Sequence, residues 1–518
     1  MTTQKSAPRR SGILLHPTSL PGPYGIGDLG PCARSFIDFL AEAGQQLWQV
    51  MPLGPTGFGD SPYQCFSAFA GNHYLISLDE LEAQGLLTRA ELAQCPPFPR
   101  ERVDYGPVIT FHLAMLRKAY QRFSADATPA QRAELEAFAR AHRSWLDDYA
   151  LFMACKDAHD GRLWSEWSTG KNHITQPPFQ VSTDDLNFHR FLQYEFFRQW
   201  DALRRYAHTH NIRIIGDMPI FVAYDSADVW AHPQLFYLDE AGRMTVVAGV
   251  PPDYFSATGQ LWGNPLYRWD ACRQEKFRWW IERFRHALTM VDIVRIDHFR
   301  GFESCWAVPA GNPTAEIGEW LKTPGDELFA TLRTTLGPVP LIAEDLGVIT
   351  PEVEALRDKY GFPGMKILQF GFGGDAQNEF LPHNYPRHCV VYTGSHDNDT
   401  SLGWYRSADE KTRDHVRRYF MCDGSDISWV MIRAALASVA ELAIIPLQDV
   451  LSLDSTARMN FPGRPEGNWQ WRYVPEQLTS SVASRLRELT ELYGRISTST
   501  SEPQPTPSSS NPSLTHVP

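Results

Sequence analysis

The sequence holds eight cysteines but no C-x-x-C pair. Zinc-ribbon and thioredoxin-type readings are therefore unsupported, and thiols spread so widely suit a reducing compartment. No apolar run approaches the roughly 20 residues that span a bilayer. The first apolar run, 13–15, is too short for a secretory signal core, so a cytoplasmic protein is expected. The Asn398-Asp399-Thr400 glycosylation pattern then has no secretory context. Positive charge is not in excess: 48 Lys and Arg face 60 Asp and Glu, a net charge of −12. That excludes a broad nucleic-acid or anionic-membrane surface, because phosphates need concentrated Lys and Arg. H-E-x-x-H, an EF-hand loop and H-x-H on a strand are also missing, so no metal site is expected. No repeat of fixed period occurs.

What is present is a long chain with a sizeable core. The 518 residues are 43% hydrophobic and 21% charged, which excludes a largely disordered chain. Aromatic residues reach 12%, a surplus suited to stacking on flat ligands or sugar rings. Eight short apolar runs read as buried parallel strands: 13–15, 47–51, 212–218, 293–296, 341–344, 365–370, 389–393 and 443–447. Helical segments are predicted at 32–43, 188–210, 275–288, 351–360 and 426–441. Pro351 suits a first helical turn. Eight strands with intervening helices predict an α/β fold, a (β/α)8 barrel.

Two gaps are too long for simple crossovers. The segment 53–211 contains helical stretches at 110–123, 129–144 and 147–160, and reads as an inserted helical subdomain. The segment 219–292 is rich in aromatics, Gly and Pro. Insertions after barrel strands lie on the rim that carries the chemistry. The expected organisation is a flexible N-terminus at 1–10, a catalytic barrel at 11–496, and a disordered Ser/Thr/Pro-rich tail at 497–518.

Gly25-Ile26-Gly27-Asp28-Leu29-Gly30 fits the G-x-G-x-x-G spacing of dinucleotide-binding loops. Nine residues, including three prolines, separate it from the preceding strand, and the second strand ends without an acid for a ribose. A turn into a helix is the better reading.

Acids end several of the apolar runs. Asp217, Asp297, the pair Glu344 and Asp345, and the pair His396 and Asp397 all follow predicted strands. A carboxylate there is costly unless paired, protonated or functional. Four such clusters converge on the C-terminal rim of a barrel. Arg295 and Asp297 share one side of their strand, so a guanidinium would help keep Asp297 ionised. Several carboxylates without an evident cofactor point to glycosyl transfer, with one acid as nucleophile and one as proton donor. A third carboxylate would hold the donor protonated near neutral pH. His298 and His396 adjoin acids and are suited either to sugar hydroxyls or to supporting those acids.

These clusters resemble the signature segments of the 4-α-glucanotransferases, the amylomaltases and disproportionating enzymes of the α-amylase-like group. The resemblance runs through the stretch from His16-Pro17-Thr18-Ser19-Leu20 to Gly30, Ser61-Pro62-Tyr63-Gln64, and Ser67-Ala68-Phe69-Ala70-Gly71-Asn72. It continues through Gly249-Val250-Pro251-Pro252-Asp253-Tyr254-Phe255 and Gly259-Gln260-Leu261-Trp262-Gly263-Asn264-Pro265. The segments around Asp297, Glu344 and Asp397, then Asn460 and Gly467-Asn468-Trp469, complete it. It covers roughly residues 11–494.

The resemblance implies a retaining 4-α-glucanotransferase of starch, glycogen and maltodextrin metabolism. Asp297 falls at the nucleophile, Glu344 at the acid/base and Asp397 at the third acid. Arg295, Asp217, His396 and Tyr63 match residues around the cleaved glucose. Tyr254, Gln260, Trp262 and Asn264 lie on a loop like the one that covers the glucan; His298 and Asn468 complete the expected binding set. It implies no metal or organic cofactor. The expected partners are α-1,4-glucans (maltotriose and longer maltodextrins, starch or glycogen chains), with glucose as an acceptor. A monomer or a homodimer is expected. Cys65 and His73 depart from the usual Ser and Pro, at non-catalytic positions. A hydrolase with the same acids and a non-catalytic glucan-binding protein are the competing readings.

Overall fold

The structure, a computed structural model, describes residues 8–167, 181–252, 256–464 and 466–496. Eight parallel strands form the central sheet: β1 (Arg10–Leu14), β2 (Leu47–Gln49), β3 (Arg213–Pro219), β4 (Ile293–Asp297), β5 (Leu341–Ala343), β6 (Gly364–Ile367), β7 (Cys389–Tyr392) and β8 (Leu442–Pro446). Their spatial order is β6-β7-β8-β1-β2-β3-β4-β5, each beside its sequence neighbour. The ring closes between β5 and β6, where Ala343 N–H donates to Pro363 O at 3.0 Å. Asp345 reinforces that seam: its carboxylate accepts from Met365 N (2.7 Å) and from Arg357 (2.5 Å). All eight predicted strands are present, and the chain is a (β/α)8 barrel.

Near-continuous apolar runs make these strands because both faces are covered. Ile13, Leu47, Ile214, Ile215, Ile296, Val390 and Ile444 are wholly inaccessible. Helices Pro31–Glu42, Thr183–Thr209, Arg278–Met290, Gly325–Leu336, Pro351–Tyr360 and Ile427–Ala437 pack outside. Pro351–Tyr360 has the predicted bounds because its sequence marks both ends. Pro351 occupies the first turn, and Gly361 follows in the left-handed conformation (φ 69°).

The first long insertion is helical, with Tyr105–Asp126, Pro129–Ala141 and Arg143–Ala158. Its aromatics dock on the barrel: Phe69 stacks on Trp145 at 6.3 Å, and Trp145 meets the His286 ring at 5.5 Å. The second insertion holds an antiparallel sheet that the sequence pattern did not suggest. Strands Gln260–Pro265 and Val246–Val250 pair there with Ser304–Pro309 and Glu319–Lys322, which come from the segment after β4.

The glycine-rich stretch is a loop before helix Pro31–Glu42, as read from its spacing. A Cβ at Gly27 would sit 2.0 Å from Pro17 O, so close backbone approach accounts for that glycine. At the N-terminus, β1 begins at Arg10, inside the segment expected to be flexible. The expected tail, 497–518, lies outside the described residues.

The base of the barrel is tied by a buried guanidinium. Arg495 donates to Leu436 O (2.7 Å), Arg10 O (2.9 Å), Ala440 O (2.9 Å) and Ser438 O (3.1 Å). These bonds join the segment after helix Ser480–Leu492 to β1 and to the end of helix Ile427–Ala437. Arg495→Met strands several buried carbonyls, at a cost of about 3 kcal/mol. A thermal melt of the variant is expected to show a midpoint several degrees lower; an unchanged midpoint contradicts this account.

Candidate active site

The C-terminal ends of β3, β4, β5 and β7 each deliver an acid to one mouth of the barrel. Asp217 lies in β3 directly across from Arg295 in β4, and Asp297 ends β4. Glu344 follows β5, and its N–H still bonds to Ile296 O at 3.0 Å. Asp397 sits in the loop after β7. That loop is pinned by buried Asp449, which accepts from Thr393 Oγ1 (2.5 Å) and from Ser401 N (2.6 Å).

Around these ends runs a cleft of about 1440 Å³. It is lined by Asp297, Glu344 and Asp397, and by Tyr63, Gln260, Trp262, Asn264, Arg295, His298, His396 and Asn468. Asp217 stands behind this wall, on a neighbouring cavity. Its Oδ2 accepts from Tyr63 Oη (2.8 Å) and from Arg295 Nη1 (2.6 Å). Tyr254 lies outside the described residues.

Arg295 bridges two acids. Its Nη2 reaches Asp297 Oδ1 at 3.1 Å, the same-side geometry that period-two alternation requires. Burial nevertheless outweighs the guanidinium. It pushes the Asp297 carboxyl up to about 6, with Asp217 and Asp397 adding to the rise. Asp297 is therefore held less acidic than the Arg–Asp pairing alone implies, yet mostly ionised at pH 7.

Glu344 is displaced further. Burial lifts it to about 8, and the charge of Asp297 adds to the shift. Two backbone donors hold its carboxyl in place, His298 N at 2.7 Å and Leu346 N at 2.9 Å. His298 has a left-handed backbone (φ 53°), a strained conformation for a residue with a Cβ. That conformation aims its N–H at Glu344. Burial pushes the His298 ring down to about 3, so it is neutral, and it lies edge-on to Trp262 at 4.7 Å.

Asp397 moves the other way. Burial alone would raise it, but His396 (3.4 Å) and the amide of Asn460 (2.6 Å to Oδ1) hold it well below the usual carboxylate range. The rings of Tyr63 and His396 stack at 5.2 Å, and Trp469 flanks both at 5.7 and 5.9 Å. They form an aromatic wall beside the acids.

The expected lid residues contribute unequally. Trp262 Nε1 donates to Gln260 Oε1 at 3.2 Å. Asn264 is anchored by its bond to Val222 O (2.9 Å). Asn468 supports its own loop, accepting from Phe461 N (2.8 Å) and donating to Arg464 O (2.7 Å). Arg458 was not singled out from the sequence, and neither Asn460 nor Trp469 was assigned a place at the site. Asn460 and Trp469 stood in signature segments; Arg458 has no motif to mark it.

With this geometry established, comparison with known proteins is decisive. The family model described as 4-alpha-glucanotransferase matches residues 15–478. The chain belongs to the 4-alpha-glucanotransferase family. It is an enzyme of that family, as its signature segments suggested. A 4-alpha-glucanotransferase of Thermus thermophilus is 53% identical over 501 residues, 94% of this chain and 99% of that one. One from Synechocystis is 53% identical over 495 residues, 94% of this chain and 98% of its own length. The solved amylomaltase of Streptococcus agalactiae, in complex with acarbose, superposes with a TM-score of 0.90 at 40% identity, covering 94% of this chain and all of that one.

Among the described residues no helix is long and apolar enough to cross a membrane. All eight cysteines are free thiols.

Proposed function

We propose that this 4-alpha-glucanotransferase moves an α-1,4-glucan segment to the 4-hydroxyl of an acceptor glucan or glucose by double displacement. Asp297 attacks the anomeric carbon while Glu344 protonates the departing 4-oxygen. The glycosyl group stays on Asp297 as an ester. Glu344 then takes the proton of the incoming 4-hydroxyl, and the new bond forms with overall retention. Asp397, ionised throughout, holds sugar hydroxyls and balances the positive charge of the transition state. The donors are maltotriose and longer maltodextrins, or chains of starch or glycogen. No step calls on a metal or organic cofactor. Eight free thiols suit work in a reducing cytoplasm.

One observation carries the reading. Acids on one cleft are driven apart in acidity, with Glu344 up to about 8 and Asp397 below its usual range. Environments that separate the pKa values of neighbouring acids assign the proton donor and the permanent anion. Glu344 is also built to change role. The Asp297 charge helps to raise its pKa, and ester formation removes that charge, so the Glu344 pKa falls and the carboxylate left after proton donation stays ionised, free to act as base in the second step.

Hydrolysis by the same acids is the competing outcome, decided by whether water reaches the ester before a sugar does. Incubation with maltotriose, followed by chromatography, tests this. A ladder of longer oligosaccharides with released glucose is expected; shortening to glucose and maltose without longer products contradicts transfer.

A further inference from the structure

Asp397 receives support from a segment about 60 residues further along the chain, and one residue there makes two ties at once. Arg458 Nη2 donates to the backbone oxygen of Asp397 at 2.6 Å. Its Nε donates to the backbone oxygen of Asn460 at 2.8 Å. Asn460 in turn gives its side-chain amide to Asp397 Oδ1 at 2.6 Å. One guanidinium therefore fixes the main chain of the acid and the residue that orients its carboxylate. The fork geometry of Arg permits this; a point donor such as Lys cannot reach two carbonyls in fixed directions.

The tie is itself held. The Phe461 ring packs under Arg458, 4.4 Å from the guanidinium carbon, with Arg464 at 4.7 Å from the same ring. Backbone bonds secure the loop, Trp469 N to Met459 O at 2.8 Å among them. Arg458 lines the cleft and also the smaller cavity under His396. Removing it frees one flank of the site.

We propose that Arg458 is a positioning residue for the transfer reaction. It acts through Asn460 and the main chain of Asp397, fixing the direction in which that carboxylate faces the sugar. This rests on the reading of Asp397 as the acid that holds substrate hydroxyls. A carboxylate turned out of line loses contact strength mainly in the transition state, so the effect falls on kcat.

The test compares Arg458→Met, Arg458→Lys, Asp397→Asn and the double variant Arg458→Met with Asp397→Asn, measured on maltotriose. Arg458→Met is expected to lower kcat about 100-fold with KM changed less than about threefold. Arg458→Lys keeps charge and stem but not the fork, and is expected to lose at least about tenfold, so a poorly folding Met variant does not end the test. In the Asp397→Asn background the Met substitution is expected to cost less than about threefold, because the group it positions is already disabled. If the two losses multiply, Arg458 supports the fold alone and the proposal is overturned. It is also overturned if both Arg458 variants keep kcat within about threefold while Asp397→Asn is inactive. Full activity of Asp397→Asn overturns the functional reading instead.

Discussion

Asp297→Asn lowers kcat on maltotriose by about 10⁴-fold or more, equivalent to at least about 5.5 kcal/mol of barrier. The amide keeps the shape of the carboxylate and is able to accept from Arg295 Nη2, now 3.1 Å from Asp297 Oδ1. The fold and the glucan cleft therefore survive, and the loss reports chemistry. The amide has no negative charge to attack the anomeric carbon. A sharper version uses Asp297→Ala with added azide and an activated α-glucosyl donor. Azide in the vacated space attacks from the side opposite the leaving group, so a glucosyl azide of inverted configuration is expected. A product of retained configuration, or an Asp297→Asn variant within tenfold of the parent, removes Asp297 from the role of nucleophile.

Glu344→Gln is the second large effect, a loss of about 10² to 10⁴-fold, the range for a general acid/base. It falls most heavily on donors with poor leaving groups, because they depend on proton donation. The pH profile follows from the two raised acids. Asp297 must be ionised, so activity falls as pH drops through about 6. Glu344 must carry its proton, so activity falls as pH rises through about 8. The pair titrates as a unit, giving a bell centred near pH 7, and the alkaline limb disappears in Glu344→Gln. Stability carries a matching signature. The folded pKa of Glu344 lies above its unfolded value, so its contribution is full below the unfolded pKa and is lost as pH rises through about 8. Glu344→Gln removes that penalty, and its melting midpoint at pH 8 is expected to exceed that of the parent. A midpoint below the parent's contradicts the raised pKa.

The barrel was legible because parallel strands covered on both faces leave unbroken apolar runs, and an acid at the end of four of them is conspicuous. Strand ends were read too long where side chains stay buried after the ladder stops. Residues 50 and 51 follow β2 and are as inaccessible as the strand itself. The antiparallel sheet was not legible. Its strands come from two insertions, and one of them carries Gly263 at φ 77°, which breaks the alternation. Within the site, the pairing of Arg295 with Asp297 follows from the period of a strand. The Arg458 tie does not, because it joins loops that meet only once the ring has closed. The size of the Glu344 shift likewise depends on burial and the Asp297 charge, which raise it, set against the backbone donors His298 and Leu346, and the depth of burial has no local sequence signal.

The loop 458–469 has a temporal consequence for the cell. The three candidate acids are synthesised by residue 397, yet the amide that grips Asp397 lies 63 residues further along the chain, and the tryptophan beside Tyr63 later still. A nascent or truncated chain can thus possess every proposed reacting group and still lack the contact that holds the Asp397 carboxylate.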